Sequence, residues 1–201
     1  MRVSEMDRWT DHCGYFFQQD PAAECIVLHP SNRLNPHIDF LLFRPNSVYP
    51  YWKLCTMGAS DYKLPLTLCH RNEFIMFIHR EEDLENRKIL SWYCDVLLSV
   101  ALYPAENRIA VTFGHSIVWG EKSGTDMWCA YLDFPYPIPQ PGFFRCRLGP
   151  VKETNCLQVI LLTKRETEQL MQKGPEGFYD VLCPGNAPAH FLCERYRSPR
   201  F

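Results

Sequence analysis

The chain carries almost no excess charge: 21 lysines and arginines stand against 23 aspartates and glutamates, a formal net charge of −2 over 201 residues. With no strong field of either sign, neither nucleic acid nor an anionic membrane surface is an expected partner. Nothing in it approaches the run of roughly 18 apolar residues that a membrane span needs. The start, MRVSEMDRWTDH, lacks the apolar core of a secretory signal, and no Asn-x-Ser/Thr acceptor occurs. The usual chemical signatures are missing as well. There is no GxxxxGK phosphate loop, no GxGxxG after a strand, no HExxH and no GxSxG elbow. These absences predict a cytoplasmic, non-enzymatic chain that needs no cofactor.

Cysteine is abundant, yet the pairings that would give it a function are absent. The ten cysteines fall at 13, 25, 55, 69, 94, 129, 146, 156, 183 and 193, spread through apolar segments, and no two stand in a CxxC. Neither a redox pair nor a paired-knuckle zinc site can be written from that spacing. Free, buried thiols in a reducing compartment are the expectation, for Cys69-His70 and His12-Cys13 as for the rest. None of the seven histidines has another two or four residues away, so no local pair supports a metal.

What is present is enough apolar residue, 46% of the chain with 14% aromatic, for one packed domain. Met6, Trp9, Cys13 and Phe16 stand at helical spacing over residues 4–17, ended by Asp20-Pro21. Short apolar runs bounded by turn formers predict strands at 25–28, 38–43 and 51–56, and residues 73–79 read as a strand covered on both faces. Ile89, Trp92, Tyr93, Val96, Leu97 and Val100 make one broad helical stripe over 87–103, with Asn86 as its cap and Pro104 closing it. Strands are predicted again at 109–113, 127–134, 143–148 and 156–162. Thr163-Lys164-Arg165-Glu166 reads as a capping box, Gly174 as a left-handed cap, and 177–182 as a short last helix. Pro135, Pro137, Pro139 and Pro141 make a stiff loop without PxxP register. The organisation expected is one α+β domain over 1–185, a mixed twisted sheet flanked by helices, followed by a polar, mobile tail over 186–201.

Three polar groups are candidates for chemistry. His37 and Asp39 share one face of a strand, where an imidazole and a carboxylate could serve acid–base work; a hydrogen-bonded pair at a strand start is the favoured reading. Gly114 and His115 precede Ser116, but adjacent side chains on an extended chain point to opposite faces, so a glycine-permitted bend burying His115 is favoured over a triad. Thr56, Met57, Gly58, Ser60 and Asp61 form a turn-like stretch that reads as structural, with a recognition loop as the next reading. A small hydrolase or transferase working through a His37, Asp39 and His115 cleft is the alternative to a binding protein.

In this order the segments resemble the Suppressor of Fused domain family, especially its compact bacterial members. The resemblance rests on His37-Ile38-Asp39-Phe40, on Leu54-Cys55-Thr56-Met57-Gly58-Ala59-Ser60 as an L-x-T-x-G-x-S segment, and on Arg71-Asn72-Glu73-Phe74 as the start of an R-x-E-L strand. It continues through the Trp92 helix ending at Tyr103-Pro104, the Gly114-His115 turn, and Leu161 to Glu168 at the start of the final helix. It spans about residues 5–182; the cysteine load departs from it, and animal relatives continue into a second domain. The resemblance implies a protein binder rather than a catalyst. Animal members sequester zinc-finger transcription factors by taking up a peptide as an added strand, and bacterial members are similar to immunity proteins that neutralise toxins. It points to Thr56–Asp61 and the neighbouring strand as a contact surface, and to another protein, a toxin or a regulated partner, as the ligand.

Overall fold

The computed structural model describes residues 1–30, 36–63, 71–120, 125–182 and 192–198, with the side chains of 181 and 182 left aside. Cys69-His70 and Cys183 lie outside the described residues. The chain opens with helix α1 (Val3–Phe17), whose buried stripe is Trp9, Cys13 and Phe17, while the expected Met6 and Phe16 are only partly buried at its margin. Asp20 then caps a single helical turn, α2 (Pro21–Glu24), by accepting from the Ala22 amide. Strands β1 (Cys25–Leu28), β2 (Asp39–Phe43), β3 (Tyr51–Met57) and β4 (Asn72–His79) follow as an antiparallel run. Helix α3 (Arg87–Asn107) crosses to β5 (Ser116–Val118), β6 (Met127–Asp133), β7 (Arg145–Arg147) and β8 (Glu153–Thr163), and α4 (Lys164–Leu182) closes the domain. The order in the sheet is β1-β2-β3-β4-β8-β6-β5, with β7 pairing β8 beside this path. β4 and β8 are parallel and form its centre. This is the single α+β domain expected.

One core packs α3 against the sheet. Tyr93, Val96, Leu97 and Val100 share one apolar cluster with Leu28, Phe40, Leu54, Met76, Val159, Leu132 and Ile117, one residue from each strand of the main order. In a flat sheet the two end strands would stand about 29 Å apart, at about 4.8 Å per neighbour, whereas a helix with its side chains is only about 10 Å wide. Residues of both β1 and β5 border hollows against α3, so the sheet curls and its two end strands flank the helix from opposite sides. The convex face is covered by α1, through Trp9, Cys13 and Phe17 against Leu41, Phe43 and Ile75. α4 covers the rest, through Leu170 and Phe178 against Tyr131 and Ile160. β4, β8 and their neighbours are therefore buried on both sides, as the unbroken apolar run of β4 requires.

Several local expectations need correction. Pro104 does not close α3, which runs three residues further to a left-handed cap at Arg108 (φ 55°, ψ 40°). Pro104 removes only one bond, and its carbonyl accepts from the amide of Ile109 to finish the helix. Residues 109–113 are not a strand. The left-handed cap turns the chain there, the Val111 carbonyl is taken by Asn72 Nδ2 at 2.8 Å, and backbone bonds to β6 begin only at Gly114 and His115, just before β5. Residues 141–144 form a 3-10 turn, which shortens the strand predicted at 143–148 to Arg145–Arg147. The capping box forms: Thr163 N donates to Glu166 Oε2 at 2.8 Å, and Glu166 N donates to Thr163 Oγ1 at 3.4 Å. Gly174 breaks the helix at φ 72°, and Pro175 starts the next turns.

The described part of the tail is docked rather than mobile. Cys193, 1% exposed, bridges Ile78 of β4 as an extra parallel contact. Arg195 pairs with Glu82, and Arg197 grips Glu166 through two 2.7 Å bonds. A third bond of 2.7 Å runs from Arg197 Nη2 to the Leu161 carbonyl.

Candidate functional site

The Thr56–Asp61 stretch folds around a buried carboxylate. Glu73, fully buried in β4, accepts from Thr56 Oγ1 at 2.6 Å and from the amides of Gly58 and Ser60 at 3.0 Å each. Burial pushes the Glu73 carboxyl up, opposed by these hydrogen bonds. Gly58 stands at φ 120°, and a Cβ there would lie 2.2 Å from the His37 carbonyl oxygen, so only glycine fits. Thr56, Met57 and Ser60 are all buried; Asp61, half-buried, accepts from Lys152 Nζ at 2.6 Å. The arrangement is a brace joining β3 to β4. Buried in this way, Thr56, Met57, Gly58 and Ser60 offer no contact surface in this conformation. Sequence alone shows Glu73 only as part of a strand, because its three donors come from residues 13 to 17 positions earlier in the chain.

His37, Asp39 and His115 are not brought together. His115 is exposed at the start of β5, its Nδ1 3.1 Å from the Thr112 carbonyl and 3.2 Å from the Thr112 amide, in a turn permitted by Gly114 at φ 84°. The burial expected for His115 does not occur. His37 and Asp39 do pair, Nε2 to Oδ1 at 3.0 Å, and His29 joins them with Nδ1 at 2.9 Å from the same oxygen. Among the described residues His37 pairs with Asp39 and His115 with Thr112, so the three do not converge on one another as the acid–base reading required.

The surface most suited to a partner lies along α3. Besides its buried stripe, α3 carries a second apolar line, Leu90, Cys94, Leu98 and Leu102, which is only partly covered. Beside it open two hollows. One, of about 420 Å³, lies between α3 and β5 and is walled by Leu98, Leu102, Tyr103, Ile117, Val118 and Trp119. The other, of about 280 Å³, lies between α3 and the first hairpin and is walled by Leu28, Phe40, Leu90 and Cys94. Asp95 and Leu98 border both, so the hollows flank one stretch of α3, a furrow on its β5 side and a smaller hollow on its β1 side. β1 and β5 end the strand order among the described residues, so each hollow has a sheet edge as its outer wall. Val27 and Val118 on those edges are 43% and 44% exposed. An apolar trough between a helix and a sheet edge can receive an extended segment, whose backbone pairs with the edge strand while its alternate side chains fill the hollow.

The eight described cysteines are all free. Burial raises the thiols of Cys13, Cys25, Cys94, Cys129, Cys146 and Cys156, which keeps them protonated and poorly nucleophilic. No described helix is long and apolar enough to cross a membrane.

Comparison with known proteins assigns the architecture. A homolog of suppressor of fused protein from Neisseria gonorrhoeae FA 1090 superposes with a TM-score of 0.70 at 12% identity, covering 100% of this chain and 98% of that one. The suppressor of fused chain of a Sufu–Fu complex gives 0.65 at 14% identity, with 90% and 84% covered. Drosophila Suppressor of Fused gives 0.65 at 15% identity and covers 90% of this chain, which spans 47% of that protein. No curated protein is matched by its sequence. The family model of suppressor of fused protein (SUFU) matches residues 35–195, from the His37-Asp39 strand to the docked C-terminal segment, and the chain therefore belongs to that family.

Proposed function

We propose that this domain is a non-catalytic protein-binding module that takes up a segment of another polypeptide in the furrow between α3 and β5. The observation that carries this reading is the second apolar line of α3, left half-covered beside an open sheet edge, where a domain with no partner gains nothing from exposing it. Family membership supports it, since one solved relative is in complex with Fu. Asp95 and Glu106 stand at the rim of the larger hollow, which favours a partner segment carrying basic residues beside its apolar anchors.

The finer reading is an immunity-type protein that works in the cytoplasm and neutralises a cognate toxin by direct binding. It draws support from the full-length likeness to a bacterial homolog. Sequestration of a regulatory protein is the second reading, favoured by the likeness to the relative solved with Fu. Co-expression with the product of the adjacent gene distinguishes them: rescue of growth from a toxic neighbour supports the first, and stable binding without rescue supports the second.

Leu98→Asp and Leu102→Asp test the furrow itself. Each places a charge in a half-covered trough, where it is tolerated in the free protein but unpaired in a complex. We expect partner affinity to fall at least about tenfold, roughly 1.4 kcal/mol, with folding retained. Unchanged affinity in both variants would move the contact elsewhere.

A further inference from the structure

Local spacing in the sequence argues against a metal, but the fold assembles ligands that spacing does not reveal. We propose that His29, His37 and Asp39 bind one divalent transition-metal ion of the zinc type. All three donor atoms lie within 4.8 Å of one another, and Asp39 Oδ1 is 2.9 Å from His29 Nδ1 and 3.0 Å from His37 Nε2. Ligands bound at about 2.0–2.1 Å, and separated by right or tetrahedral angles at the metal, stand about 2.9–3.4 Å apart. The two measured separations fall in that range.

The sheet sets this geometry. Leu28 pairs with Phe40 in the β1–β2 ladder, so its next step places His29 across from Asp39. His37 lies two residues before Asp39 and reaches the same oxygen. Asp39 pairs with Met57 on its other side, and the His37 carbonyl is packed against Gly58 in the braced turn. The ligands thus stand on a ladder and a tightly packed backbone rather than on a free loop.

Exposure assigns their roles. Asp39 is 3% exposed, a fixed anionic anchor, whereas the His29 and His37 side chains are 66% and 58% exposed. Two imidazoles and one carboxylate suit zinc, cobalt, nickel or ferrous iron, and are a poor set for calcium or magnesium, which prefer all-oxygen shells. Three protein ligands leave coordination positions open toward solvent, for water or for a donor from another molecule. His29 also lines the smaller hollow between α3 and the first hairpin, so the metal would sit at the rim of that hollow, across α3 from the proposed docking furrow.

The site is tested on the isolated full chain, with no partner needed, so its failure is separate from failure of the docking reading. Wild type and a His29→Ala/His37→Ala variant are loaded with zinc near pH 7.5, dialysed, and assayed for bound metal by elemental analysis and for thermal unfolding. Both imidazoles are exposed, so the variant should fold, which its unfolding temperature without metal checks. We expect wild type to retain one more zinc per chain than the variant, and only wild type to gain thermal stability from zinc. Equal retention by both proteins would assign any zinc to the thiols, and no retention would mean that the two imidazoles only hydrogen-bond Asp39; either result overturns the proposal.

Discussion

Asp133 and Lys53 are sealed into the sheet with opposite charges and no ion-pair partner among the described residues, and burial displaces them in opposite directions. Asp133 in β6 accepts from the Phe134 amide through Oδ1, and its Oδ2 has no partner among the described residues. Desolvation raises its carboxyl from 3.8 to about 7. The unfolded chain sheds this proton near pH 4, while the folded chain holds it to about pH 7, so the unfolded state binds fewer protons in between. Stability from this group therefore falls as pH rises from about 4 to about 7, and is level above. Asp133→Asn should remove that slope and raise stability at pH 8 by roughly 1–3 kcal/mol, read by urea unfolding at a series of pH values. Lys53 donates to the Arg44 carbonyl at 2.8 Å, and burial lowers its amine from 10.5 to about 8. Its contribution has the other sign, growing as pH rises from about 8 to about 10.5. Gly58 is the second residue on which much turns. A methyl group there would meet the His37 carbonyl, and the backbone angle disfavours any side chain. Gly58→Ala should cost at least ~2 kcal/mol, seen as a lower urea midpoint with an unchanged slope.

Elements whose character is decided within a few residues were legible in the sequence. The stripe of α1, the core face of α3, the doubly covered β4 and the Thr163–Glu166 cap all follow from side chains that repeat or meet within one or two turns. What failed depends on partners far along the chain. Residues 109–113 are apolar enough for a strand, but the turn set by Arg108 and the claim of Asn72 on Val111 leave no ladder to join. Glu73 looked like one polar residue in a strand, since its donors lie on another strand and turn. His29 carried no signal because register, not spacing, places it opposite Asp39. The C-terminal segment read as solvated because its arginines are charged, yet Arg197 reaches a fully buried Glu166. This segment is a strap across β4 and α4. Arg197→Ala removes one partner of this buried ion pair and should destabilise the domain by roughly 3–5 kcal/mol, measured by chemical unfolding.

At the scale of the molecule, the sheet wraps one helix and buries that helix incompletely. Seven strands supply the inner face of the core, α1 and α4 cover the outer one, and the remaining side of α3 stays open between β1 and β5. Burying Leu90, Leu98 and Leu102 fully would need one more layer, and in this chain no described element supplies it. Hydrogen exchange on the domain with and without its captured partner tests the central claim most directly. The account predicts new protection along β5 and the Leu90–Leu102 side of α3, with α1 and α4 unchanged; protection confined to α1 or α4 would contradict it.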